Sequence, residues 1–181
     1  MKGLIIFKGK YGATRQYAEW LATELALPAF HPDNFRKEKI SNCDFVVIGS
    51  SVYIGKLQIK NWINQHLPDL SSKKIFLFIV CGTPPDEKEK LESYLQGSVP
   101  PEIRKQCQVY FLPGKMVYQH LSWSDKFMLR MGAMLTKEKE TKKKMLTDYN
   151  SVKKENLDAL VNDIKKYAGS VAKSVLQPSI R

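Results

Sequence analysis

The chain has 181 residues, 43% of them hydrophobic, with 29 Lys and Arg against 18 Asp and Glu for a formal net charge of +11. That length suits one well-buried domain and is too short for two of ordinary size, and no stretch reaches the ~18 apolar residues of a membrane span. The positive charge calls for an anionic counterpart, which could be nucleic acid, lipid headgroups or an acidic small molecule.

Apolar runs alternate with helix-like segments along the chain. The pattern predicts a strand over 2–7, a helix over 13–26 and a strand over 44–49, then a helix over 57–67 and a strand over 74–81. A helix over 86–96, a strand over 107–112 and a last helix near 151–168 complete it. FVVIG at 45–49 and IFLFIVCG at 75–82 are nearly continuous apolar runs, as expected of central strands covered on both faces. LPAFHPDNF leaves room only for a short strand at 28–31, and its prolines suit an edge. Five strands of this kind fit an α/β doubly wound sheet, parallel, in the order 2-1-3-4-5, with helices on both faces. The expected organisation is a single domain over 1–170 with a tail over 171–181. Met1 and Lys2 lead into an apolar run that ends by Lys8, too short for a secretory leader, so the expected location is the cytoplasm. Cys43, Cys81 and Cys107 are widely spaced beside apolar runs, which reads as reduced, buried thiols rather than a metal site.

In such a sheet the ligand crevice lies beyond the carboxyl ends of the strands, where the strand order reverses. Three loops meet there. The first, Gly9, Lys10, Tyr11, Gly12, Ala13 and Thr14, opens a helix. It lacks the spacing of a Walker motif or a dinucleotide fingerprint, which disfavours ATP and NAD. Backbone N–H groups, the Thr14 hydroxyl and the helix N-terminus would suit one phosphate monoester, although a tight turn capped by Thr14 reads equally well. The second loop, Ser50, Ser51, Val52, Tyr53, Ile54 and Gly55, sets an aromatic ring beside polar backbone, where a flat heteroaromatic could stack. Alternatively, Tyr53 and Ile54 only cover the next helix. The third, Cys81, Gly82 and Thr83, offers N–H and hydroxyl groups ahead of Pro84 and Pro85, or is a plain strand-to-helix turn.

GKYGATRQYAEWLA after the first strand and FVVIGSSVYIGKL after the third resemble flavodoxin, and the likeness spans most of the chain. It implies FMN held noncovalently, with its phosphate in a first loop of the form [ST]-x-T-G-x-T and its isoalloxazine between the second and third loops. Gly12 and Thr14 match that pattern. Gly9 and Tyr11 stand where hydroxyls are usual, and Lys10 is placed to supply a cation instead. All fifteen loop residues named above are the expected cofactor contacts.

The segment 114–149 resembles the long insertion of the flavodoxin-like, menaquinone-dependent protoporphyrinogen oxidases. It carries Trp123, Asp125, Lys126, Phe127 and Met128, and then Thr147, Asp148 and Tyr149. This second resemblance implies oxidation of protoporphyrinogen IX with electrons passed to a quinone, a role in heme biosynthesis. Trp123, Phe127, Met131, Met134 and Leu135 share one helical stripe, followed by a basic run from Lys137 to Lys144. Such a segment, over 116–145, could meet an anionic membrane at the inner face of the cell, an anionic porphyrin or a second copy of the chain in a homodimer. It could also pack on the protein's own sheet. His120 is the one histidine placed to touch a substrate, and no catalytic base is expected, since flavin chemistry needs none from the protein. The alternative is a one-electron carrier docking onto redox proteins, to which a charge of +11 is poorly suited where partners present basic surfaces. Nucleic-acid binding is disfavoured by the lack of a paired aromatic platform.

Overall fold

The computed structural model describes residues 2–36, 38–135, 142 and 146–176. Strand β1 (Gly3–Lys8) feeds helix α1 (Ala13–Leu25), which is followed by β2 (Ala29–Phe30) and a short helix α2 (Glu38–Ser41). Then come β3 (Phe45–Tyr53), β4 (Lys56–Leu57), α3 (Lys60–Gln65), α4 (Leu67–Leu70) and β5 (Lys74–Cys81). Helices α5 (Lys88–Gln96) and α6 (Pro101–Gln106) precede β6 (Cys107–Pro113). Beyond it lie β7 (Lys115–Met116), α7 (Trp123–Leu135), β8 (Tyr149–Asn150) and α8 (Asp158–Leu176).

Strands β2, β1, β3, β5 and β6 lie side by side in that order, every neighbouring pair parallel. This is the expected five-strand order. A sixth strand, β4, corrects the count: it pairs antiparallel with the end of β3, Val52 opposite Leu57 and Tyr53 opposite Lys56. Ile54 and Gly55, with φ of 48° and 70°, form the two-residue turn between them. Positive φ at both central positions is the geometry that matches the twist of a tight hairpin. Gly55 adopts it freely, whereas a β-branched residue such as Ile54 does so only at a cost.

Alternation along the strands divides the core in two. Leu4, Ile6, Val46, Ile48, Ile75, Leu77 and Ile79 face α3 and α6, where Trp62, Ile63 and Ile103 complete the layer. Ile5, Phe7, Phe45, Val47, Phe76, Phe78 and Val80 face α1 and α8, meeting Tyr17, Leu21, Leu160 and Ile164. Period-two burial on both faces explains why these strands read as unbroken apolar runs. Gly3 and Gly49 leave space for aromatic rings, since a β-carbon on Gly49 would stand 2.1 Å from the Phe78 ring and one on Gly3 2.2 Å from Phe45.

Several boundaries shift from expectation. The helix expected over 57–67 is two short ones, because Pro68 sits at the start of α4 without an N–H for a continuous ladder. The helix expected from 86 begins at Lys88. No element was expected between 96 and 107, yet Pro101 opens α6, a position where its missing N–H costs nothing. The last helix starts at Asp158 rather than 151 and runs through Leu176, past the residue where a tail was expected; 177–181 lie outside the described residues. It is docked by polar contacts as well as apolar ones: Gln108 Nε2 and Tyr110 Oη each donate to Asp163 Oδ2 at 2.7 Å.

Candidate functional site

The first, second and third loops converge at the carboxyl ends of β1, β3 and β5. They line a cavity of about 110 Å³ with Lys10, Tyr11, Ala13, Thr14, Ser51, Val52, Tyr53, Val80, Cys81 and Gly82. Gly114, Lys115 and Tyr149 complete the wall.

At the first loop, Gly12 takes a left-handed conformation, φ 82°, as the N-cap of α1, and no side chain caps the helix. The free N–H groups of its first turn are therefore available to an anion. Thr14 is 1% exposed and its hydroxyl has no hydrogen-bond partner among the described residues. A buried polar atom without a partner is costly and uncommon, so this hydroxyl is placed for a ligand. Gly9 lies flush against it: a β-carbon there would meet the Thr14 Oγ1 at 2.5 Å. The cradle is built of what FMN's phosphate needs, namely backbone donors, a hydroxyl and close approach.

The second loop divides. Ser50 is fully buried, and its hydroxyl donates to the Ser51 carbonyl at 3.0 Å and accepts from the Ile59 N–H at 3.2 Å, so it holds the loop rather than facing the cavity. Ser51 faces the cavity and donates to Gln58 Oε1 at 2.9 Å. Val52 and Tyr53 line the wall, while Ile54 projects outward, 65% exposed, with Gly55. In the third loop, burial pushes the Cys81 thiol up, which keeps it protonated and unreactive. Thr83 Oγ1 pairs with Tyr94 Oη at 2.9 Å. Gly82 is met by the Tyr149 ring, whose hydroxyl lies 2.3 Å from where a β-carbon would be.

The segment after β6 supplies further residues: Asp125 and Tyr149, which the sequence marked only as part of the insertion's motifs, and Lys115, which it did not mark. Asp125, in the first turn of α7 and 5% exposed, accepts hydrogen bonds from Lys10 Nζ at 2.7 Å, from Tyr53 Oη at 2.6 Å and from Tyr11 Oη. Burial alone would push its carboxyl up, but the bonds from Lys10, Tyr11 and Tyr53 outweigh that and bring it down to about 2. The Lys10 ammonium, raised by the same carboxylate, also lies 4.4 Å from the centre of the Tyr53 ring. The expected cation of the first loop is thus bound within the protein.

On the side of Asp125 α7 also buries Ala133, and its other face is open. Trp123, Phe127, Met131, Met134 and Leu135 are 81%, 53%, 47%, 76% and 80% exposed, so the stripe does not pack on the sheet. Trp123 and Phe127 stack with ring centres 5.9 Å apart. Of the basic run only Lys142 is among the described residues; the rest lies outside them. His120 sits on an exposed turn, Tyr118–His120, away from the cavity lining. No described helix is long and apolar enough to cross a membrane.

Comparison with known proteins agrees with this architecture. The chain is 26% identical over 164 residues to the protoporphyrinogen IX dehydrogenase [quinone] of Escherichia coli K12, covering 84% of this chain and 91% of the relative. Among solved structures, Smu.1420 from Streptococcus mutans aligns with a TM-score of 0.50 at 10% identity, over 73% of this chain and 96% of that one. Flavodoxin 1 from Bacillus cereus aligns with a TM-score of 0.44 at 17% identity, over 81% and 92%. The Flavodoxin domain family model matches residues 4–144, most of the chain. The chain belongs to the flavodoxin domain family, and FMN is its cofactor.

Proposed function

We propose that this protein is an FMN-dependent oxidoreductase that takes electrons from a porphyrinogen, with protoporphyrinogen IX the first candidate, and hands them to a quinone. One observation carries the reading. The helix with the exposed apolar stripe is fastened by Asp125 to both Lys10 and Tyr53, so an apolar molecule landing on it arrives beside the first two loops. The likeness to the Escherichia coli dehydrogenase supports this reaction class over the same length of chain. In sequence the stripe leads into Lys137–Lys144, which gives this part of the chain attraction to anionic lipid, the phase in which quinones dissolve.

When bound, FMN supplies the hydride and electron chemistry. The chain's own residues bind and orient it. In this reading Gly9, Gly12, Ala13 and the N–H groups from Lys10 to Thr14, with the Thr14 hydroxyl, receive the phosphate. Ser51, Val52 and Tyr53 flank the ring system on one side and Cys81, Gly82 and Thr83 on the other. Ser50, Ile54 and Gly55 hold the shape of the second loop.

The test is a visible absorption titration of the purified protein with FMN, followed by anaerobic reduction and addition of a quinone analogue, then of protoporphyrinogen IX. Saturable binding, fast reoxidation by quinone and consumption of the porphyrinogen are expected. Fast reoxidation only by a redox protein would make it an electron carrier instead.

A further inference from the structure

The first loop has Gly9 and Tyr11 where serine or threonine is usual, the Tyr11 hydroxyl is turned to Asp125, and the loop's own lysine is occupied. Lys10 Nζ stands 2.7 Å from Asp125 and 3.2 Å from Tyr53 Oη. A second cation reaches the same cradle from across the site. The Gly114 N–H donates to the Cys81 carbonyl at 3.0 Å, which seats the chain after β6 beside the third loop. From there β7 carries Lys115 over the start of α1. Its Nζ lies 3.9 Å from where a β-carbon on Gly12 would be. Among the described residues this ammonium meets no carboxylate; it donates only to the neutral Gln16 Oε1, at 3.5 Å.

Four features therefore converge on one spot: an uncapped helix N-terminus, a left-handed Gly12, the unpartnered Thr14 hydroxyl and an uncommitted ammonium. The first three would receive any phosphate monoester. The fourth adds full charge where the loop has lost hydroxyls, and a monoester carries about −1.5 to −2 at pH 7. We propose that Lys115 is the cation that binds the FMN phosphate in this chain, in place of Lys10 and of the absent hydroxyls. The inference rests on FMN as the cofactor and extends it: the residue that holds the phosphate comes from the segment after β6, one hundred residues beyond the loop it serves.

Flavin fluorescence titrations of the full chain with FMN and with riboflavin, at low and high salt, separate the phosphate from the ring. The wild type should prefer FMN. Lys115→Met should raise the FMN Kd roughly tenfold, the worth of one charge-assisted hydrogen bond, and flatten its salt dependence. The riboflavin Kd should stay unchanged and Lys115→Arg should restore most of the preference. Inorganic phosphate should compete with FMN in the wild type more strongly than in Lys115→Met. The proposal is overturned if FMN and riboflavin weaken together, if neither moves, or if Lys10→Met erases the preference while Lys115→Met keeps it. A wild type that binds neither flavin would overturn the cofactor assignment, and this proposal with it.

Discussion

Asp125 joins three donors that lie far from it in sequence, Lys10, Tyr11 and Tyr53. Its folded value of about 2 lies below the ordinary 3.8, so the stabilisation it contributes is complete above 3.8 and is lost as pH falls from there through about 2. Asp125→Asn should therefore cost about 2 kcal/mol at neutral pH, a figure of the order set by ~1.4 kcal/mol per pKa unit. In denaturant titrations from pH 7 downward, the difference between wild type and variant should hold constant to about pH 5 and vanish near pH 2. A difference that stayed constant into acid would mean the carboxylate's charge contributes nothing. Gly12 and Thr14 were legible as site residues because a glycine and a hydroxyl follow a buried strand and open a helix, a local signal. Asp125 and Tyr149 were visible only as motif residues of the insertion and Lys115 not at all, because each reaches the site through tertiary packing, which no local pattern reports. Ser50 differs for a related reason: strand alternation turned it inward, where its hydroxyl accepts from the Ile59 N–H at the start of α3.

Among the elements, the long buried strands were the easiest to read, since apolar residues on both faces leave few alternatives. The hairpin Tyr53–Lys56 escaped because two residues of β4 carry no periodicity, and α6 escaped because six residues are too few to show a helical stripe. For α7 the stripe was visible, but periodicity alone does not say what a stripe faces. The structure leaves it in solvent, a contiguous apolar surface of the kind that marks interaction sites. Phe127→Glu with Met131→Glu should abolish sedimentation with vesicles containing anionic lipid and leave the FMN Kd unchanged. Loss of a dimer in light scattering, with vesicle binding intact, would assign the stripe to a second copy of the chain.

For the molecule as a whole, the segment after β6 leaves the doubly wound core and returns to it through its own two-stranded ladder. Lys115 pairs with Asn150 and Met116 with Tyr149, and the Ser151 N–H donates to the Gly114 carbonyl at 3.1 Å. Continuing that register brings Val117 opposite Asp148, whose Oδ1 accepts from the Tyr118 N–H at 2.7 Å. Replacing 118–147 by Asn-Gly should close a two-residue hairpin at that point. The shortened protein should keep its helical circular dichroism and bind FMN, and should lose both vesicle binding and fast reoxidation by quinone. Failure to fold would show that α7 belongs to the core in spite of its exposure.

The contact between Tyr149 and Gly82 ties the ribbon after β6 to the wall of the cavity. The ring rests where any other residue at 82 would place a side chain, and it stands across the side of the cavity formed by the third loop. A group lying against Gly82 therefore meets an aromatic ring, whereas an anion at Gly12 meets backbone donors, a hydroxyl and an ammonium. Two neighbouring rungs of one small ribbon thus reach two different walls of the cavity, Lys115 beside Gly12 and Tyr149 beside Gly82, so a shift of that ribbon would reshape both at once.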